Sequence, residues 1–166
     1  MPTSVSHALA AGAIGAILAP ESTNRRYWMV GVACAVAVDL DAVGRPFGHA
    51  DIALMGGHRA LTHSLPFAVA LGAVATIAFF RGRMWDGHRW RIAAYLVLAT
   101  ASHGLLDLLT TYGQGVGLLM PFNWVRYESA WRPVRGLNEI WIVWFPLIAA
   151  IVIARWLRSR SAATAA

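Results

Sequence analysis

Lysine is missing from this 166-residue chain, so all 14 of its basic residues are arginine. Charged residues make up only 13% of the sequence. The net charge of +6 and isoelectric point near 10.7 therefore do not build a basic face of the kind that grips nucleic acid. The arginines instead lie between or beyond the apolar runs, where topogenic flanks are placed. Cysteine is nearly absent as well: the single Cys34 sits in an apolar run, which excludes an intramolecular disulfide framework and leaves it as a small packing residue. Long uninterrupted apolar stretches are also scarce. The runs Val5 to Ala19, Tyr27 to Val43, Leu65 to Phe80, Ile92 to Tyr112 and Ile140 to Trp156 mostly fall short of the ~20 residues of a standard spanning helix. A cleavable signal peptide needs a basic n-region and a cleavage site. The first run opens on Ser4, Val5, Ser6 and His7, stops at Pro20, and reads better as a retained helix.

What is present is apolar surface. Hydrophobic residues reach 58%, with eight tryptophans, and the mean hydropathy of +0.54 is that of an integral membrane protein. The expected fold is all-α: a polytopic membrane bundle of about five short transmembrane helices, one domain over residues 1–158 with a polar tail at 159–166. Gly12 and Gly15, with Ala8, Ala11, Ala16 and Ala19, give the first helix a small-residue face for close packing. Trp85, Trp90, Trp124, Trp131 and Trp156 lie near span ends and predict an interfacial belt.

If all five runs span, Arg25, Arg26, Arg81, Arg83, Arg89, Arg91, Arg155, Arg158 and Arg160 share one side, and Arg45, Arg59, Arg126, Arg132 and Arg135 the other. The richer side faces the cytoplasm by the positive-inside rule, placing the N-terminus outside, in a bacterium the periplasm. Seven candidate metal ligands then gather in the outer leaflet: His7 starting the first helix, Asp39 and Asp41 ending the second, His58 and His63 preceding the third, and His103 and Asp107 late in the fourth. His103 lies about 17 Å along its helix from Ile92. Ionisable groups at membrane depth are costly unless paired, hydrated or metal-bound, which makes the set a functional signal.

Each cluster also has a plainer reading. Asp39 and Asp41, two residues apart, cannot share a helix face; they reach one cation if the helix unwinds there, or else form a solvated helix end, where carboxylates oppose the helix dipole. His58 and His63 bracket Arg59-Ala-Leu-Thr62, with Gly56-Gly57 before them and Ser64 and Pro66 poised to cap the next helix; an interfacial histidine loop is the alternative. His103 and Asp107, at i and i+4, lie one above the other, so that both ligate one ion or Asp107 orients the ring, unless the pair is mere core polarity. His49 and His88 read as structural.

The stretch Tyr112 to Glu139 carries Arg126, Arg132 and Arg135 on the less basic side, near Glu128. Together with Arg59, the guanidinium forks of Arg126 and Arg132 suit an anionic, phosphate-bearing substrate at headgroup level, while compensation by Glu128, Glu139 and lipid phosphates is the alternative. Glu139, at the start of the fifth helix, is a candidate general base or further ligand.

The N-terminal Ser-His, the Asp39-Leu-Asp41 helix end, His58-Arg-Ala-Leu-Thr-His63-Ser64, His103-Gly-Leu-Leu-Asp107, Thr110-Thr-Tyr-Gly113 and Leu119-Met-Pro-Phe122 together resemble the YdjM-like membrane-bound metal-dependent hydrolases, a family also described as LexA-binding and inner-membrane-associated. The resemblance runs from about His7 to Glu139. It implies a bacterial inner-membrane, multi-pass hydrolase whose ligand set, carried over by motif, is His7, Asp39, Asp41, His58, His63, His103 and Asp107. Mixed N/O ligands without thiolate favour zinc or manganese, as one ion or two. The expected activity is divalent-metal-dependent hydrolysis of an amphiphilic, phosphorylated lipid at the outer leaflet, with Arg59, Glu139, Arg126 and Arg132 serving catalysis, membrane lipid as the partner and no nucleic acid. A metal-ion or proton-coupled transporter using the His/Asp cluster and a metal-stabilised regulatory or scaffold protein are the competing expectations.

Overall fold

The computed structural model describes residues 3–20, 23–43, 47, 52, 55–111 and 113–164. His49, Arg45, Asp51 and Tyr112 lie outside the described residues. Within them the chain is all-helical, with five α-helices and no strand: α1 (Ser4–Leu18), α2 (Arg25–Ala37), α3 (Leu65–Phe79), α4 (Arg89–Leu108) and α5 (Phe145–Thr164). Local chemistry sets several ends. The Asn24 side chain accepts from the Tyr27 amide to start α2, and the Ser64 hydroxyl accepts from the Phe67 amide at 3.1 Å, with Pro66 in the first turn of α3. Pro20 lies just beyond α1, where its ring cannot continue a helix.

The five apolar runs become the five helices, with shifted edges. α4 begins at Arg89, three residues before Ile92, because the first turn of a helix tolerates exposed arginines. α5 is led in by a π-helical turn at Ile140–Trp144 and continues through Thr164, well beyond Trp156. Among the described residues, one helix is long and apolar enough to cross a membrane: the 26-residue stretch Gly136–Ser161, whose most apolar 18 residues have a mean hydropathy of 2.1. Ser4–Leu18 and Leu65–Phe79 are apolar but shorter.

α4 is the hub, packing against α1, α2 and α3, while α5 leans chiefly on α1. Near the arginine-rich end the core is aromatic. Tyr27 and Tyr95 stack at 4.4 Å, and Phe80 meets Trp85 edge-on at 4.9 Å. Gly31 lets α2 approach this layer, since a Cβ there would overlap the Tyr95 hydroxyl. Cys34 is buried in the same layer as a small packing residue. Trp85 departs from the expected belt: it is 1% exposed, because the turn after α3 folds it back onto Phe80. Trp90, Trp124, Trp131 and Trp156 are exposed, as an interfacial belt requires.

Candidate metal centre

Four separate chain segments deliver polar side chains to the other end of the bundle. α1 places His7 one turn in from its N-terminus. At the end of α2 the backbone tightens into a 3-10 turn, Val38–Ala42, which turns Asp39 and Asp41 toward different partners. The loop before α3 passes through Gly56 and Gly57 at φ of 79° and 80° and Arg59 at 62°, left-handed conformations that fold His58 back beside the 3-10 turn Leu61–His63. The last turns of α4 supply His103 and Asp107. Gly104 completes the assembly: a Cβ there would overlap the His63 carbonyl, so only glycine lets the loop press onto α4 at this point. Its signal in the sequence was its place between the two candidate ligands of α4.

All seven predicted ligands meet here, in three overlapping groups: His7, His103 and Asp107; Asp39, His63 and His103; Asp41, His58 and His63. Six of the seven are buried, and Asp39, with a side chain 25% exposed, is the opening to the surface. His7 and His103 stack with ring centroids 3.5 Å apart and planes 6° from parallel.

The hydrogen bonds specify which ring nitrogens face inward. His103 Nδ1 lies 2.7 Å from the Ala35 carbonyl, which only accepts, so Nδ1 carries a hydrogen and Nε2 is turned toward the cluster. That Nε2 faces Asp39 Oδ1 at 3.2 Å. The Thr62 hydroxyl donates to Asp41 Oδ2 at 2.6 Å and so accepts from His63 Nδ1 at 3.0 Å. This directs His63 Nε2 at Asp107 Oδ2, 3.4 Å away, and Asp39 Oδ1, 3.7 Å away. His58 Nδ1 donates to Asp41 Oδ1 at 2.9 Å. Three imidazoles are thus held through Nδ1 with Nε2 presented, the arrangement that orients metal-ligating histidines. Neither ring nitrogen of His7, nor His103 Nε2, nor His63 Nε2, has a hydrogen-bond partner although all are buried. Acceptors that converge without donors are what a cation would satisfy. Burial alone would lower the His63 pKa, but the Asp107 and Asp39 carboxylates beside it outweigh this and raise it above the ordinary imidazole value.

At i and i+4 Asp107 was a candidate to orient His103; the structure gives that part to the Ala35 carbonyl on α2. Asp107 faces His63 and Arg59, whose Nε is 2.9 Å from Asp107 Oδ2 and whose Nη2 donates to Thr110 at 3.1 Å.

The remaining predicted site residues are placed around the cluster. Arg126 donates to the His58 and Gly56 carbonyls at 3.1 Å each, clamping the histidine loop. Arg132 pairs with Glu128 and donates to the Ser129 carbonyl at 2.8 Å, while lining, with Arg59, Asp107, Thr110 and Tyr127, a water-sized notch of about 10 Å³. Glu139 Oε1 accepts from the Thr3 amide at 2.6 Å, the Thr3 hydroxyl at 3.0 Å and the Ser6 hydroxyl. It secures the first turn of α1, which bears His7, and belongs to none of the three ligand groups. His88 lies at the start of α4, at the far end of that helix.

The donor set fits a divalent cation: buried nitrogen and oxygen ligands, with no thiolate. No solved structure matches the chain. It is 30% identical to the inner membrane protein YbcI of Escherichia coli (strain K12), in an alignment covering 95% of this chain and 99% of that one. The model of the YdjM inner membrane protein family matches residues 1–166, and the chain belongs to that family.

Proposed function

We propose that this chain is a multi-pass membrane hydrolase that uses one divalent metal ion, zinc or manganese, on a phosphorylated amphiphilic lipid. The observation that carries the metal is the convergence of His103 Nε2 and Asp39 Oδ1, 3.2 Å apart, with His63 Nε2 and both His7 nitrogens, all buried without a hydrogen-bond partner. Charge balance supports the same reading. Three carboxylates, Asp39, Asp41 and Asp107, surround one guanidinium, Arg59, so the cluster with neutral histidines carries 1 − 3 = −2, which one divalent ion neutralises. His7, Asp39, His63, His103 and Asp107 would hold the ion. Asp41, both of whose oxygens are engaged by His58 and Thr62, is a positioning residue.

A divalent ion held there would supply Lewis acidity and bring the pKa of a bound water down toward neutrality. The chain's own groups do the rest. Asp39 marks the entry, and the ring stack of His7 on His103 closes the floor. Arg59, paired with Asp107 and Thr110, brings its guanidinium to the notch as a hydrogen-bond donor for a phosphate oxygen, with Arg132 across from it. Arg126 acts by holding the His58 loop.

Membrane insertion of more than α5 is supported by what the short helices expose. Ile17, Met29, Val69, Val74, Ile77, Leu98 and Leu105, on α1 to α4, are exposed apolar side chains, and a lipid environment removes that cost. The arginine distribution, read by the positive-inside rule, supports an outward orientation of the His/Asp end, toward the periplasmic leaflet.

The test combines metal analysis of detergent-purified protein with turnover of a panel of lipid phosphates, neutral lipid esters and amides. We expect close to one ion per chain and hydrolysis of phosphoesters. Full metal with cleavage of neutral esters alone, indifferent to Arg59, would refute the phosphate assignment; no metal at all would refute the hydrolase.

A further inference from the structure

At the opposite end of the bundle from the His/Asp cluster, α1 and α5 diverge around a groove of about 630 Å³. Gly12 and Ala16 form its wall on α1, Ile151, Arg155 and Arg158 its wall on α5, and Thr23 and Trp28 its rim at the start of α2. The α5 residues are spaced i, i+4 and i+7, so both guanidinium groups rise from one helix face above an apolar floor. Arg158 donates to the Ile17 carbonyl at 3.0 Å, which fixes it over the C-terminal end of α1. Among the described residues, no carboxylate lies within ion-pair distance of Arg155 or Arg158.

We infer that this groove binds the phosphate of an anionic phospholipid from the cytoplasmic leaflet. Three observations converge on a lipid. The first is depth: at 1.5 Å per residue the 26-residue stretch Gly136–Ser161 is about 39 Å long against a hydrocarbon core of ~30 Å, so about three residues emerge at each end. Arg158 then stands at the edge of the core and Arg155 just under one turn inside it, where long side chains reach up to the headgroups. The second is lining: the groove pairs arginines with an apolar wall and an indole, matching a phosphate attached to acyl chains rather than a soluble anion. The third is the sign of the surroundings, since Arg25, Arg26, Arg91 and Arg160 crowd the same end and raise the local anion concentration. Nothing here depends on hydrolysis or on a metal at the other end.

The test is native mass spectrometry of the full chain released from micelles supplied with phosphatidylglycerol or phosphatidylcholine. Wild type should retain phosphatidylglycerol at least tenfold over phosphatidylcholine. Arg155→Gln with Arg158→Gln should abolish that preference, whereas Arg83→Gln, at the same end but outside the groove, should keep it. Thr23→Trp fills the rim without removing charge and should weaken retention too, which decides the matter if the double arginine variant does not fold. Equal retention of the two lipids by wild type, or undiminished phosphatidylglycerol in both groove variants, overturns the site. Complete displacement by millimolar inorganic phosphate would assign it to a soluble anion instead.

Discussion

The two halves of α4 are packed by different rules. Around Tyr95 the neighbours are aromatic rings and glycines, and fit is a matter of shape: Gly31 and Gly15 exist to leave room for one phenol. Around His103, just over two turns further on, the neighbours are His7, His63, Asp39 and Asp107, and fit is a matter of lone pairs and charge. Filling a void harms the first half; removing a ligand harms the second. A tightly packed aromatic layer beneath a charged one also explains how a short bundle tolerates three buried or half-buried carboxylates, because the shape-determined half holds the helices together against the cost of burying charge in the other.

The largest effect should come from taking ligands out of the charged half. His103→Ala and Asp107→Ala should each deplete bound metal by more than about tenfold and reduce turnover to background, measured by metal analysis and phosphoester assay on the same preparation. Undiminished metal in both variants would break the contrast, since the two halves would then differ only in polarity.

Next in size are two glycine changes that sharpen it. Gly31→Ala should lower stability in detergent by about 1–3 kcal/mol, because buried Tyr95 has nowhere to move, while metal per folded chain stays at the wild-type level. Gly104→Ala forces the His63 backbone off α4, so it should cost metal as well as stability. Thermal unfolding paired with metal content separates the two, and a Gly104→Ala protein with full metal would show that the close approach of loop and helix does not hold the site.

Arg59→Lys is a smaller perturbation. It preserves the charge beside Asp107 but loses the fork that also reaches Thr110. We expect metal content unchanged and turnover down roughly tenfold, in keeping with loss of one charge-assisted contact. Arg83→Lys, at the aromatic end, should leave turnover as it is.

The helices and the clustering were legible in the sequence because both rest on local signals. Apolar runs, the Ser64 and Pro66 start of α3 and the i, i+4 spacing of His103 and Asp107 are readable within a few residues. The partners were not. Ala35 orients His103 from 68 residues away through a backbone carbonyl, and a carbonyl has no sequence signature. Glu139, predicted as a base or ligand, is taken up by Thr3 and Ser6, more than 130 residues distant, in a pairing that no spacing rule reveals. Trp85 looked interfacial because it follows an apolar run, yet the turn after Phe80 buries it. Tertiary return of the chain decides each case, and periodicity is silent about it.

The smallest effect is one of pH, and it distinguishes a proton from a metal as the charge that settles the polar half. Without metal, His63 has a folded pKa raised by Asp107 and Asp39 in spite of burial. The stability this contributes is fully present below the ordinary imidazole pKa of ~6.5 and is lost as pH rises through the higher folded value. Chelator-stripped protein should therefore melt at progressively lower temperature as pH rises above 6.5. Loaded protein should show the opposite trend, because the ion requires the deprotonated ring and binds better as protons become scarce. Addition of zinc or manganese to stripped protein at pH 7 should accordingly release protons, measurable with a weakly buffered indicator. Parallel melting trends for stripped and loaded protein would mean that His63 keeps its proton when metal binds, and would remove it from the ligand set while leaving His7, His103 and the carboxylates in place.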